Sequence, residues 1–274
     1  IAAYNFYTMF IANKNLELVK AFVIEQPMIK TNINHNIERI KNTGNIEKVV
    51  NYLMNTDYDI CLSAGCSYIL PVSSLPNDKL FINCHPSVLP FGKGMHPLNE
   101  CFLSGIGKAG VTIHLLTDEL DGGDILNQIE FELTNEIDVS LLYGFMFDLE
   151  AELLSTTLEE ILKNNMQYKS NPQIGNGTYY SRKKESRNFK AKDVNIKLFI
   201  NNVKAFSSKS LGTILNTTNG SYIVYSAEII VNPFILNRYK KIKSGDVIFK
   251  TDDILLVKLK DGIIKINKFK KWEI

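Results

Sequence analysis

The stretch "KLFINCHPSVLP" (79–90) begins as an apolar run and ends in polar residues and prolines. Its first half has the length and composition of a short buried β-strand. Asn83 and His85 stand two residues apart where this strand would end. Judged by spacing alone, such a pair is more often a polar strand end than a chemical site, so both interpretations stay open at this point.

The surrounding sequence, residues 16–165, alternates strand-like and helix-like segments. Asn45 and Asp138 precede two helical segments as candidate N-caps, and Pro97 stands at the first turn of a third. This alternation predicts an α/β fold with a Rossmann-like, mostly parallel sheet and helices on both of its faces. Ligands bind such sheets at the carboxyl ends of the strands, where the polar pair is expected. The strand-like segments are 16–25, 58–65, 79–85, 110–116 and 124–133, and the helical ones are 45–55, 96–105 and 138–164.

The sequence changes character after residue 165. Residues 166–207 are mostly polar and end in a short amphipathic helical segment, which is typical of a linker with a connecting helix. From residue 208 onward, strand-like runs are separated by turns such as Asn219-Gly220. We therefore predict an α/β domain over 1–165, a linker and connecting helix over 166–207, and a small β domain over 208–274.

The composition is that of an ordinary globular chain: 274 residues, 45% hydrophobic and 22% charged, with a net charge of +2. So small a net charge excludes a strong global attraction to nucleic acid or anionic membranes. No apolar run reaches the length of a membrane span and no signal peptide is recognisable, although the lack of an initial Met suggests that some N-terminal residues lie outside this sequence. The four cysteines lack CxxC spacing, which favours free buried thiols in a reducing cytoplasm over disulfides or zinc: Cys61, Cys66, Cys84 and Cys101.

The candidate site combines the polar pair with "TDELDGGD" (117–124), which follows another predicted strand. Asp121 precedes two glycines, which allow a tight turn and a close approach of the backbone to a ligand, although Asp-Gly-Gly alone is more often just a turn. An amide, an imidazole and a carboxylate at one sheet edge would suit acyl transfer, since they can polarise a carbonyl and move a proton. There is no Gly-Xaa-Ser-Xaa-Gly motif, and nothing marks a cysteine as the partner of a histidine. Direct transfer to an external amine is therefore easier to support than a covalent acyl-enzyme.

Residues 83–94 together with "GVTIHLLTDELDGGDIL" (110–126) resemble the signature of the folate-dependent formyltransferases. That family includes glycinamide ribonucleotide formyltransferase, methionyl-tRNA formyltransferase and the sugar N-formyltransferases. Its pattern is Asn-Xaa-His-Pro-Ser, two apolar residues and Pro, then a Gly-Xaa-Thr strand, then Asp-Xaa-Gly, and Asp121 lies at the family spacing after Asn83. The upstream "SAGCSYILP" (63–71) also resembles the loop that lines the folate pocket. The resemblance implies the formyltransferase fold.

The resemblance implies that N10-formyltetrahydrofolate is the formyl donor and that no metal takes part. Asn83 and His85 would hold and polarise the formyl oxygen, while Asp121 would tune His85 and help remove the proton of the amine. His35 and His114 are interpreted as structural, and Cys84 has no implied role. The positions implied to bind folate are Ser67, Tyr68, Ile69, Leu70, Ser87, Val88, Leu89, Pro90, Thr117, Asp118, Glu119 and Leu120.

The C-terminal part narrows the choice of branch. Residues 175–206 resemble the segment that joins the two domains in the methionyl-tRNA and sugar branch, and the β tail is similar to the OB-like C-terminal domain of that branch. The glycinamide ribonucleotide enzymes lack such a tail. A tRNA-binding protein should spread Lys and Arg over a broad face. Here the basic character is confined to the linker and to residues 235–274, which hold eleven Lys or Arg against five Asp or Glu, and no long basic insertion is found in the first half.

These features favour a sugar-nucleotide N-formyltransferase that acts on a dTDP-linked 3-amino- or 4-amino-dideoxyhexose of a bacterial surface glycan, such as the lipopolysaccharide O-antigen. Methionyl-tRNA formyltransferase is the alternative, and a non-catalytic binding module is a third possibility. By resemblance we expect a cytoplasmic homodimer that pairs through the β tail, with nucleic acid and membrane not among its partners. Ala3–Phe6 are where the first βα turn would contact the substrate. Packing or solvent exposure remains the alternative for each further substrate-binding candidate: Lys93, His96, Tyr179, Tyr180, Arg182 and Lys183.

Overall fold

The structure, a computed structural model, describes residues 16–24, 37–40, 46–66, 68–181, 187–208 and 211–272. The helices are α1 (Glu47–Asn55), α2 (Pro97–Leu103), α3 (Val139–Lys163), α4 (Ile196–Ala205) and α5 (Pro233–Arg238), with a 3-10 helix at Val72–Ser74. The strands are β1 (Ala21–Ile24), β2 (Ile37–Ile40), β3 (Ile60–Ala64), β4 (Leu80–His85), β5 (Lys93–Gly94), β6 (Lys108–Leu115), β7 (Ile125–Glu132), β8 (Tyr179–Tyr180), β9 (Asn188–Lys190), β10 (Thr213–Thr217), β11 (Gly220–Ile229), β12 (Val247–Lys250), β13 (Leu255–Lys258) and β14 (Ile263–Trp272).

The chain divides into two compact units. The first comprises the residues up to 95, 109–131 and 145–179, and the second comprises 96–108, 132–144 and the residues from 180 onward. The first contains the α/β part and the second the β-rich part, so the predicted fold class is confirmed. The predicted domain boundaries at residues 165 and 207 stay predictions.

The main sheet of the first unit has the strand order β3-β4-β6-β7. β3 pairs with β4 in parallel, as do β1 and β2 in their own two-stranded sheet. β4 and β6, however, are antiparallel, with Asn83 opposite His114 and His85 opposite Thr112. The end of β6 therefore lies beside the start of β4. The two strands do not end at the same edge of the sheet, as parallel strands would, so residues 117–124 do not reach the polar pair simply by following β6. That segment has to fold back along the sheet to reach it.

β4 is one of the two inner strands of this sheet, and all six of its residues are buried. Successive side chains of a strand point to opposite faces of a sheet. Phe81, on one face, packs in a cluster with Leu53 of α1, while the Cys84 thiol, on the other face, lies 3.9 Å from the carbonyl of Glu150 in α3. Helices thus cover both faces, as predicted. Polar side chains on such a strand need partners, because a buried polar group without a hydrogen bond is costly.

The helix ends follow the sequence signals in part. The backbone N–H of Leu141 donates to the Asp138 carboxylate at 2.9 Å, which confirms the predicted cap of α3. Pro97 begins α2, as its fixed φ angle favours. α1 has Ile46 at its N-cap with no side-chain cap bond, instead of the predicted Asn45, which lies outside the described residues. In the part of the chain described above, no helix combines the length and the apolar character that a bilayer crossing requires.

The second unit contains a six-stranded sheet with the order β12-β13-β14-β11-β10-β9. Its pairs are antiparallel except for β9 and β10, which run parallel. The core beneath it includes Phe199 of α4 with Leu215 and Ile264, all fully buried. The turn lies one residue earlier than predicted, since Thr218 and Asn219 join β10 to β11 and Gly220 already begins the strand. The predicted small C-terminal β region is confirmed.

The Glu150 carboxyl group gives this fold a pH dependence. Glu150 is 3% exposed on α3, and burial raises the pKa of its carboxyl group from 4.5 to about 8. Between these pH values the unfolded chain is ionised at this position and the folded chain is protonated, so the free energy of unfolding falls as the pH rises. In the wild type we expect the free energy of unfolding to fall by on the order of 1 kcal/mol per pH unit between about pH 5 and pH 8, and we expect Glu150→Gln to remove this fall.

Urea unfolding at several pH values measures this effect. Glu152→Gln, which changes an exposed residue of the same helix, is the matched control and should leave the pH profile unchanged. Equal pH profiles for the wild type and Glu150→Gln would contradict the prediction.

Candidate active site

β4 and β6 place three polar side chains on one face of the sheet. Asn83 and His85 alternate along β4 with Cys84 between them, and His114 stands opposite Asn83 in the antiparallel register. The amide nitrogen Nδ2 of Asn83 lies 3.0 Å from Nε2 of His114. All three side chains are buried, so their hydrogen bonds lie in a region of low dielectric, where such bonds are strengthened.

His114 fixes the orientation of the Asn83 amide. Nδ1 of His114 lies 2.8 Å from the carbonyl oxygen of Leu115, and because a carbonyl oxygen only accepts, Nδ1 carries the hydrogen. Burial lowers the pKa of His114 to about 4, so at neutral pH its Nε2 has a free lone pair. That lone pair accepts from the NH2 group of Asn83, which holds the amide with its nitrogen toward His114.

From the sequence alone, His114 is interpreted as a structural residue, and its place in this cluster is not predicted. Its one signal was that it is a polar residue inside the apolar run "GVTIHLL" (110–116). The partner of such a residue depends on the register between β4 and β6, which could not be predicted from the sequence.

Asp121 completes the cluster from the loop after β6. Its Oδ1 lies 3.5 Å from Nδ2 of Asn83 and 3.7 Å from Nε2 of His114, while its Oδ2 lies 3.8 Å from Nε2 of His85. The backbone N–H of Gly94 donates to Oδ2 at 2.8 Å. The structure thus brings the three predicted catalytic residues together in one buried cluster.

Gly123 is what lets the loop fold back. A Cβ atom at this position would lie 1.9 Å from the carbonyl oxygen of Leu115, a distance that no side chain tolerates. The N–H of Leu115 also donates to the carbonyl of Asp124 at 2.9 Å, which closes the loop onto β6. The close approach predicted for the Asp-Gly-Gly segment is therefore made to the neighbouring strand.

The Cys84 thiol lies on the opposite face of β4. Its side chain is 2% exposed, and burial raises its pKa well above the ordinary value. A buried, protonated thiol is a poor nucleophile, because the thiolate is the reactive form. The cluster of Asn83, His85 and Asp121 instead offers hydrogen-bond donors and a carboxylate, which can polarise a carbonyl group and accept a proton.

Several positions implied to bind folate belong to the segments beside the cluster in sequence, such as Thr117 to Leu120, which precede Asp121. Ile69 and Leu120 expose 51% and 40% of their surface, which makes apolar area available to a flat ring. The Asp118 carboxylate accepts from the backbone N–H of Ser73 at 3.0 Å and from the Ser73 hydroxyl, and these bonds hold its pKa below the ordinary value. The loop after β6 is thereby tied to the 3-10 helix.

The turn after β4 is also held in place. The Thr112 hydroxyl donates to the carbonyl of Ser87 at 2.7 Å and accepts from the N–H of Leu89 at 3.2 Å. Within the described residues, the buried hydroxyl of Ser87 has no hydrogen-bond partner, so a polar ligand atom would satisfy it. Ser67, also implied to bind folate, lies outside the described residues.

Two of the substrate-binding candidates meet beside the cluster. The Lys93 side chain is 8% exposed; its Nζ lies 3.4 Å from the Glu119 carboxylate and 5.4 Å from the centre of the Tyr179 ring. The Tyr179 hydroxyl also donates to Glu119 at 3.2 Å. A buried cation and an exposed aromatic ring are thus neighbours, with one exposed carboxylate between them.

Two further substrate-binding candidates are described in the second unit. His96 and Tyr180 belong to the second unit, where His96 is the N-cap of α2 with a left-handed φ of 65°. Arg182 and Lys183 lie outside the described residues, as do His35 and Ala3–Phe6. Over the described ranges there is no group of three or more His, Cys, Asp or Glu that could hold a metal ion.

An α/β fold that presents an amide, two imidazoles and a carboxylate in one buried cluster has the groups that direct transfer of an acyl group requires. The chain belongs to the formyl transferase family, whose profile matches residues 14–158. Over 128 residues it is 31% identical to the methionyl-tRNA formyltransferase of Staphylococcus epidermidis, a match that spans 46% of this chain and only 40% of that relative.

Solved structures show the same fold. The N-formyltransferase from Helicobacter canadensis, in complex with folinic acid and dTDP-3-aminofucose, has a TM-score of 0.64 at 18% identity and covers 86% of this chain and 90% of its own. HypX from Aquifex aeolicus, in complex with tetrahydrofolic acid, has a TM-score of 0.61 at 18% identity and covers 87% of this chain and 40% of its own. The predicted formyltransferase fold is thus confirmed.

Proposed function

We propose that this protein is a sugar-nucleotide N-formyltransferase, which transfers a formyl group from N10-formyltetrahydrofolate to the amine of a dTDP-linked 3-amino- or 4-amino-dideoxyhexose. The observation that carries the proposal is the buried cluster of Asn83, His85 and Asp121, with Asp121 Oδ1 and Oδ2 facing the two other side chains. Family membership supports formyl transfer as the reaction.

Asn83 would stabilise the charge that develops on the formyl oxygen, while His85 would exchange a proton with the substrate. The second hydrogen of the Asn83 amide points to Asp121, with 3.5 Å between Nδ2 and Oδ1, a long contact that an incoming carbonyl oxygen could replace. Donors already held in place cost no reorganisation as the oxygen becomes negative.

The transfer itself is a direct displacement. The amine nitrogen bonds to the formyl carbon, and Asp121 takes the proton that the nitrogen loses. When the tetrahedral intermediate collapses, the bond between the formyl carbon and N10 breaks, and N10 gains a proton that balances the one Asp121 removed. The products are tetrahydrofolate and a formamide.

The cation and the aromatic ring beside the cluster support this acceptor class. Lys93, which lies 5.4 Å from the centre of the Tyr179 ring, could meet a phosphate, and Tyr179 could stack on a base; phosphate and base are parts of a nucleotide. The similar Helicobacter canadensis enzyme was solved with dTDP-3-aminofucose, which supports the same class here. Action on a surface glycan, a cytoplasmic location and a homodimer stay predictions.

Methionyl-tRNA is the second candidate acceptor. The methionyl-tRNA formyltransferase of Staphylococcus epidermidis is a relative at 31% identity, and β14 exposes Lys268, Lys270 and Lys271 on the second unit. Such lysines could contact RNA phosphates, in which case affinity would fall steeply with added salt.

A tetrahydrofolate-release assay run in parallel on dTDP-3-amino sugars, dTDP-4-amino sugars and methionyl-tRNA separates the candidates. We expect release with one aminosugar alone, which would also identify the ring position of the amine. Release with methionyl-tRNA alone would overturn the sugar assignment and keep formyl transfer. Tight folate binding without release on any acceptor would instead favour a binding module.

A further inference from the structure

The short segment Gly92–Gly94 contacts two of the proposed catalytic side chains through its backbone. The carbonyl oxygen of Gly92 lies 2.9 Å from Nε2 of His85, and the N–H of Gly94 donates to Asp121 Oδ2 at 2.8 Å. The position of three consecutive residues therefore sets the position of both groups relative to each other.

The contact with Gly92 also determines which nitrogen of His85 is free. A carbonyl oxygen accepts only, so Nε2 of His85 has to carry a hydrogen and donate it. In the neutral imidazole the lone pair is then on Nδ1. Nδ1 is the nitrogen that can exchange a proton with the substrate.

Thr178 makes two hydrogen bonds to this segment and a third to Pro90, which precedes it. Its hydroxyl accepts from the N–H of Gly92 at 2.8 Å, and its carbonyl accepts from the N–H of Lys93 at 2.8 Å. Its own N–H donates to the carbonyl of Pro90 at 3.1 Å. Gly92 has no side chain and a φ of 74°, so it contributes no side-chain packing of its own to fix its carbonyl.

Gly177, the residue before Thr178, has to be glycine for these hydrogen bonds to form. A Cβ atom on Gly177 would lie 2.1 Å from the carbonyl oxygen of Pro90, and the residue has a φ of 61°. The backbone of Gly177 and Thr178 thus packs directly against the backbone of residues 90–93. The two stretches are far apart in sequence, since Thr178 comes 86 residues after Gly92.

We propose that Thr178 is a positioning residue for His85: through Gly92 it keeps the imidazole in the Nε2–H tautomer, with Nδ1 available for proton transfer. Its effect on catalysis rests on the proposed formyl transfer, whereas its effect on the tautomer does not. Without the hydroxyl the N–H of Gly92 loses its acceptor, and the carbonyl on the far side of Gly92 is free to turn away from His85.

Three variants test the proposal: Thr178→Val, Thr178→Ser and, as a matched control, Thr157→Val. Thr157 is buried in α3 and its hydroxyl bonds to Asn127 and to the carbonyl of Leu153, so the control also removes a hydrogen-bonded threonine hydroxyl. We expect Thr178→Val to lower kcat by roughly 10- to 100-fold, because a small displacement of a catalytic group has effects of that size. KM should change little, Thr178→Ser should restore most of the rate, and Thr157→Val should leave kcat unchanged.

The second readout does not depend on activity. Nitrogen-15 NMR of the ring nitrogens, with the His85 signals assigned by their loss in His85→Gln, reports the tautomer above the titration range of ordinary imidazoles. We expect Nε2–H in the wild type, in Thr178→Ser and in Thr157→Val, and a mixture of tautomers in Thr178→Val.

An Nδ1–H tautomer in the wild type, or an unchanged tautomer in Thr178→Val, would overturn the proposal. So would a rate loss in Thr178→Val that Thr178→Ser does not restore. Failure of the wild type to formylate any acceptor would count against the proposed function alone. The NMR measurement of the His85 tautomer would still test the role of Thr178.

Discussion

Asn83→Ala is expected to lower kcat for formyl transfer by about 10²- to 10³-fold, the loss typical of removing one donor to a developing oxyanion. The amide nitrogen of Asn83 is held by His114 with a second hydrogen near Asp121, so alanine removes the only donor that β4 and β6 orient in this way among the described residues. Steady-state kinetics on the accepted aminosugar measures the effect. KM for the acceptor should change far less than kcat, because the interaction forms in the transition state.

A matched control is Asn127→Ala. Asn127 is half-buried in β7, donates to Thr157 at 3.1 Å and accepts from the N–H of Gln128, so its loss has a similar structural cost outside the cluster. Circular dichroism and thermal unfolding should show both variants folded. A kcat for Asn83→Ala that matches Asn127→Ala would remove Asn83 from the mechanism.

Asp121→Asn is expected to lower kcat by about 10²- to 10⁴-fold, the range for loss of a general base. The substitution is close to isosteric, and asparagine tolerates the left-handed backbone of Asp121, whose φ is 48°. The carbonyl oxygen of the new side chain can still accept from the N–H of Gly94. The variant therefore removes the charge and the basicity while the loop keeps its conformation.

Asp124→Asn is the corresponding control in the same loop. Its carboxylate accepts from the Ser170 hydroxyl at 3.0 Å and has no place in the proposed mechanism, so its kcat should stay at the wild-type level. Near wild-type activity in Asp121→Asn would mean that the amine loses its proton elsewhere.

The elements that could be predicted from the sequence are those with local signals. Pro97 and Asp138 marked helix starts through their own backbone chemistry, and the apolar run of β4 had the composition of a strand covered on both faces. The predicted catalytic residues come from a motif in which Asn83 and His85 are nearly adjacent. Their roles in catalysis stay predictions.

The contacts that could not be predicted depend on long-range pairing. The antiparallel direction of β6 is set by the 22-residue connection from residue 86 to residue 107, whose path has no short sequence signature. Without that direction, neither the contact of His114 with Asn83 nor the folded-back loop of Asp121 could be deduced. The hydrogen bonds of Thr178 to residues 90–93 are more distant still in sequence.

The central claim is direct formyl transfer by the cluster of Asn83, His85 and Asp121, and one measurement tests it most directly. N10-formyltetrahydrofolate with a carbon-13 formyl group is incubated with the dTDP-aminosugars and either the wild type or Asn83→Ala, and carbon-13 NMR follows the label. We expect the label to move from the folate to a sugar formamide with the wild type, and far more slowly with the variant. Label that stays on the folate with every aminosugar, or that moves equally fast with both proteins, would contradict it.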